Sequence, residues 1–152
     1  MKKIICIFLV FLTVIFAGCS FSQSSDNKFL KQLGIAYTEG DYTLEVATCS
    51  GWITGANEEL CLSVPISKRI LNDQTVSVTS VKNAVLRSAN GKIIHKAKTD
   101  LTPFIESVKV KNDGVVLFIT LKNPGKWKGE DGKAITNNSP VAGLVNLEFT
   151  VR

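Results

Sequence analysis

Histidine is almost missing from this chain: His95 is the only one in 152 residues. A serine triad therefore has one base to draw on, and no Gly-x-Ser-x-Gly surrounds a serine. A Cys₂His₂ zinc site cannot be assembled from a single chain, and Cys-x-x-Cys does not occur. There is no phosphate-cradling glycine loop and no dinucleotide fingerprint. Adjacent carboxylates occur only as Glu58-Glu59 and Glu130-Asp131. Both pairs lie in loop-like sequence, where solvated turn charge is the ordinary role, and a glycosidase needs carboxylates facing each other across a cleft. The basic residues are scattered, with no block of five or six, so the formal charge of +5 is no nucleic-acid footprint. Internal repeats are absent too. The expectation is a protein that is not an enzyme and has no metal, no cofactor and no nucleic-acid partner.

The strongest positive signal is at the start. Lys2 and Lys3 precede an apolar run over residues 4–16, and Ala17-Gly18-Cys19 leads into a polar stretch over residues 20–27. This order of charge, apolar run and small residues is that of a secretory signal. The run of 13 residues is shorter than the ~20 a membrane span requires. Phe16-Ala17-Gly18-Cys19 resembles the lipobox of bacterial lipoproteins, with Phe16 where leucine is usual. The resemblance implies cleavage before Cys19 and a diacylglyceryl thioether on it. Residues 1–18 are then the signal peptide, and 19–27 are lipid site and flexible serine-rich tether. Residues 28–152 form one domain, anchored to membrane lipid through Cys19. Ser20 after the lipid site resembles the outer-membrane default of Gram-negative lipoproteins. The likeness covers residues 1–19 alone.

Four cysteines then separate by role. Cys6 leaves with the signal and Cys19 carries lipid. Cys49 and Cys61 remain, an even pair in a compartment that permits disulfides, so a structural bridge is expected between them.

From residue 42 onward the apolar period is two, the mark of half-buried strands. Tyr42, Leu44 and Val46 form one set, and Leu60, Leu62, Val64 and Ile66 another. Cys49 and Cys61 fall on the opposite parity. Pro65 suits a strand end, and residues 75–81 are rich in β-branched side chains. Asn90-Gly91 predicts a hairpin that opposes Leu86 to His95, Ser88 to Ile93 and Ala84 to Ala97. Asp113-Gly114 predicts a second, opposing Val110 to Leu117, Val108 to Ile119 and Glu106 to Leu121. Its other face holds Lys109, Lys111, Val116, Phe118 and Thr120. Val145, Leu147, Phe149 and Val151 alternate in a last strand. A short helix is expected over residues 28–35, capped by Asp26 or Asn27 and stopped at Gly34. The whole reads as all-β: an antiparallel two-layer sandwich, of immunoglobulin-like type at most in outline, with a closed barrel as the alternative.

One long connection, residues 123–140, carries Trp127 between Lys126 and Lys128. A loop of that length is functional or covers a core. Trp127 is either a contact anchor or a cap on the open end of the β-domain. The hydrophilic surroundings favour contact, which makes Trp127, Lys126 and Lys128 candidate binding residues, together with Trp52. The functional expectation is a lipid-anchored envelope protein whose β-domain binds or assembles with another envelope protein. The alternative is an extracytoplasmic enzyme, inhibitor or small-ligand carrier acting through its loops.

Overall fold

The computed structural model describes residues 23–54, 59–88, 93–122, 127–128, 132–133 and 139–152. Cys19, the Asn90-Gly91 turn and Lys126 lie outside these residues. The chain divides at Ile35 into an N-terminal unit and a β unit, Ala36–Arg152. In the first, helix α1 (Gln23–Gln32) starts earlier than expected, inside the stretch read as tether. Its end follows the sequence. Gly34 takes a left-handed φ of +70°, its N–H reaches Lys31 O, and Ile35 N–H reaches Leu30 O. Glycine is needed there because that conformation crowds a Cβ.

The β unit contains β1 (Gly40–Thr54), β2 (Glu59–Pro65), β3 (Val76–Ser88) and β4 (Ile93–Thr99), then β5 (Ile105–Lys111), β6 (Val116–Lys122) and β7 (Pro140–Val151). A 3₁₀ turn, Thr102–Phe104, links β4 to β5. All seven strands form one antiparallel sheet in the order β4-β3-β7-β1-β2-β6-β5. All-β architecture is thus present, but as a curled half-barrel instead of two stacked layers. The period of two fixes which residues turn inward. It does not say whether they meet a second sheet or the far side of their own.

Curling has local causes. Bulges interrupt β1 between Leu44 and Ala47, and β3 at Val78/Ser80 and Lys82/Val85, each adding twist. Two glycines admit close approach of neighbouring backbone: a Cβ on Gly51 would sit 1.7 Å from Cys61 O, and one on Gly143 1.9 Å from Val85 O. β5 thereby comes alongside β3 across the open side. No β4–β5 pairing occurs among the described residues.

The concave face is the core. Val145, Leu147, Phe149 and Val151 are buried as the alternation requires, as are Leu60, Leu62, Val64, Leu117, Ile119 and Leu121. Tyr37 closes one end, edge-on to Tyr42 and Phe149 at 4.5 and 5.3 Å. The Gln74 side chain holds the β2–β3 connection there, accepting from Leu71 N–H and donating to Tyr37 O, both at 3.0 Å. Leu101 and Trp127 add buried side chains beyond the strands.

The hairpin registers follow expectation in three of the six pairs. Val110↔Leu117 and Val108↔Ile119 pair as predicted, and a bulge then brings Ile105 opposite Leu121. Leu86 pairs with His95, but bulges put Arg87 opposite Ile93 and Ala84 opposite Thr99. β3 runs through what the sequence divided into two strands, and Pro65 ends β2.

Candidate functional site on the convex face

The expected disulfide is not formed. Cys49 and Cys61 are both free thiols. The bulge at Leu44/Ala47 changes the parity of β1, so Ala47, Cys49 and Ile53 turn inward and Val46 is left outside. Cys61 pairs opposite Trp52, on the parity opposite Leu60 and Leu62. The cysteines therefore sit on opposite faces and three positions out of register, about 10 Å along the strands. That exceeds the ~7 Å Cα limit of a bridge. Burial pushes the Cys49 thiol up to about 11, against a lowering hydrogen bond from the Gly143 backbone. Burial also raises Cys61, again the largest influence on it. Both stay protonated at neutral pH, which makes them poor nucleophiles.

Trp127 also corrects the sequence reading. It is 1% exposed and lies edge-on to Phe104 at 5.8 Å. It belongs to the buried core and is no exposed contact anchor; the polar residues around it in sequence gave no sign of that burial. Lys128 is exposed. Trp52 has the opposite fate. It is 40% exposed on the convex face and does not join Trp127 in one aromatic surface.

Around Trp52 the sheet builds a small patch. Its ring is tilted against Phe118, 5.6 Å between centroids, and Lys111 Nζ lies 3.6 Å over the other ring. Lys109 is opposite Phe118 on β5. These residues share a face because Trp52, Cys61 and Thr120 form one register row and Ser63, Phe118 and Lys109 the next. The sequence placed Lys109, Lys111 and Phe118 together on the outer face but gave no sign of Trp52 joining them. At the far end of this wall, Glu59 accepts from Thr54 Oγ1 at 3.4 Å and Lys122 pairs with Glu106 at 3.7 Å.

A second convex patch lies on β3, β7 and β1. Val46 is 71% exposed and Leu144 44%, with Val85 opposite Leu144 on one side and Thr48 on the other. Sequence reasoning assigned Val46 to the core and left Leu144 unassigned. The adjacent apolar run Leu144-Val145 was the one signal, since two neighbours in a strand cannot both face inward.

A cleft of about 340 Å³ opens between residues 70–74 and 110–114. Ile70 N–H binds Gly114 O at 2.7 Å across it. The hairpin turn beside it holds Asn112, Asp113 and Gly114 at φ of 51, 52 and 88°. A Cβ on Gly114 would meet Ile70 O at 2.0 Å, so glycine is required by both φ and space. The amide of Gln74 is already engaged on both sides, and Lys111 is drawn out over Phe118. Asp100 is held below the usual carboxylate range by its hydrogen bonds from the Thr102 side chain and backbone. Its Oδ1 accepts from the Thr102 N–H at 2.9 Å, where the 3₁₀ turn begins. Among the described residues no three or more His, Cys, Asp or Glu are grouped to hold a metal, and no helix is long and apolar enough to cross a membrane. No family model, curated protein or solved structure matches the chain.

Proposed function

We propose that this protein is a lipid-anchored component of a bacterial cell envelope, probed best as a binding or assembly module for another envelope protein. The anchor half rests on Lys2-Lys3, the short apolar run and Phe16-Ala17-Gly18-Cys19. The binding half rests on one observation: Val46 and Leu144 are exposed on neighbouring strands, Val46 two positions from the Thr48 that pairs with Leu144, on a sheet whose concave side holds the core. Exposed apolar clusters on a sheet face mark contact sites. A partner laid on this face would supply the second layer that an immunoglobulin-like sandwich carries within one chain. The outer membrane is the location this reading favours. The competing reading, an enzyme, inhibitor or ligand carrier, would use the cleft at residues 70–74 and 110–114. Its Gln74 amide and Gly114 carbonyl already hold the chain together, which favours the binding module.

Two measurements test the reading. Mass spectrometry of the mature N-terminus is expected to find a lipidated Cys19; an unmodified peptide starting at Ser20 would remove the anchor. A photo-crosslinking residue at position 144 is expected to trap one envelope protein in intact cells, and Val46→Asp to abolish the adduct. Equal crosslinking from Thr79, an exposed control on β3, would remove the binding site.

A further inference from the structure

We propose that the β2–β6–β5 wall of the convex face, with its basic end, docks on an anionic lipid surface. The proposal rests on the lipid-anchored reading above. Its occupant follows from charge and from where the chain joins the β unit.

The β2–β3 connection and the β5–β6 hairpin meet at one end of the sheet, where Ile70 N–H binds Gly114 O. Together they present four exposed cations, Lys68, Arg69, Lys109 and Lys111, against two carboxylates, Asp73 and Asp113. The other carboxylates of this wall, Glu59 and Glu106, are at its far end and already engaged by Thr54 and Lys122. Lys111 lies over Phe118, half-buried, and Trp52 of the adjoining β1, 40% exposed, packs on the Phe118 ring. Lysine or arginine beside tryptophan is the side-chain set that resides at headgroup depth, the ring taking the apolar boundary and the cation the phosphate.

The position of the tether agrees. Ala36, the first residue of the β unit, bridges to Arg69, and Tyr37 N–H binds Arg69 O at 2.9 Å. The chain from Cys19, 17 positions upstream of Ala36, thus joins the β unit beside the cationic end. A single weak patch suffices in that setting, because the anchor makes docking an intramolecular event.

The test uses the mature lipidated protein in phosphatidylcholine vesicles, with or without phosphatidylglycerol, in which part of the lipid carries brominated acyl chains. Bromine quenches tryptophan only at contact range. Trp127, buried in the core, is the internal reference and reports that the fold is intact. With phosphatidylglycerol present, part of the emission is expected to be quenched, and Trp52→Phe removes that part. Lys109→Ala and Lys111→Ala each lower the ratio of docked to undocked protein about fivefold, the contribution of one cation at an anionic surface. Molar salt abolishes docking, because the screening length falls to about 3 Å. Equal quenching in both vesicle types, or quenching indifferent to the two lysines, overturns the proposal. Crosslinking to an acidic envelope protein through Lys109 and Lys111, without lipid quenching, also overturns it and assigns the wall to a protein. Flotation with neutral vesicles separates the two readings. Protein that does not float has no anchor, whereas protein that floats without phosphatidylglycerol-dependent quenching is anchored but does not dock.

Discussion

The two tryptophans occupy opposite sides of one sheet, and the sequence around them pointed the wrong way for one of them. Trp127, set among lysines and acids, is sealed in the core against Phe104. Trp52, set among strand residues, is partly bare on the outside against Phe118. Local polarity therefore says little about the depth of a loop aromatic. What decides is whether the core offers it apolar neighbours, as Phe104 does for Trp127. The concave face is a packing problem with one solution. The convex face is free to carry contacts.

The sharpest break of this comparison is truncation. Trp127→Ala should cost about 3–5 kcal/mol, as other core aromatics do. Trp52→Ala should cost no more than the ~0.5–1.5 kcal/mol of its ring pair with Phe118 plus a share of area burial. Urea denaturation of the two variants gives both numbers. Equal costs would mean that Trp52 is as structural as Trp127, and the convex patch would lose its claim to be a contact surface.

Most of the concave face was legible because each strand has a long run at period two, as in residues 145–151 and 117–121. The Val110↔Leu117 and Leu86↔His95 pairings were legible for a different reason, since Asp-Gly and Asn-Gly centre a hairpin. Bulges were not legible. A bulge is one residue of slip, and nothing in Leu44-Glu45-Val46-Ala47 announces it. Yet it exchanged the sides of Val46 and Cys49, and with them both the best exposed apolar residue and the expected bridge. Closure was hidden too, because curl depends on Gly51 and Gly143 meeting neighbouring backbone that only the register brings close. The lipid-site expectation rests on residues 1–19 alone, and the exposure of Val46 and Leu144 on the convex face was not legible at all.

Alkaline titration sharpens the inside half of the comparison. Burial holds Cys49 protonated to about 11 in the fold, against an ordinary thiol value of 9.0. Between these values the folded state binds the proton more tightly than the unfolded chain. Stability is therefore full below pH 9 and falls as pH rises from 9 to 11, by roughly 1.4 kcal/mol per unit, or about 2–3 kcal/mol in all. Cys49→Ala should remove most of that slope. An unchanged slope in the variant would place Cys49 outside the core. A smaller structural effect is expected at the β5–β6 turn. Gly114→Ala should cost about 1–3 kcal/mol, because its Cβ meets Ile70 O and the residue must hold a positive φ. Thermal unfolding of Gly114→Ala beside Gly132→Ala isolates the spatial part. Gly132 shares the positive φ, at 73°, but has no atom within 4 Å of its Cβ.

The smallest effect is the most discriminating. Adding a thiol reductant to the oxidised, folded protein should leave the denaturation midpoint unchanged. A bridge closing the loop between Cys49 and Cys61 would contribute about 2–4 kcal/mol, lost at once on reduction. The register allows no such bridge. Trp52, Gly51 and Ser50 pair with Cys61, Leu62 and Ser63, which carries Cys49 past Cys61 to the level of Val64 and onto the other face. Bringing the sulfurs together would need β1 to slip against β2 by three positions. An odd slip of that kind would expose the inner residues of β1, Ala47 and Ile53 among them. Burying those side chains favours the present register by several kcal/mol, comparable to or more than the bridge would return. A midpoint that fell by the full 2–4 kcal/mol on reduction would therefore show a different β1–β2 pairing, with Val46 turned inward and the apolar strip beside Leu144 gone. An unchanged midpoint, with two thiols titrating only after unfolding, keeps Cys49 inside, Val46 outside and the exposed apolar strip where the bulge puts it.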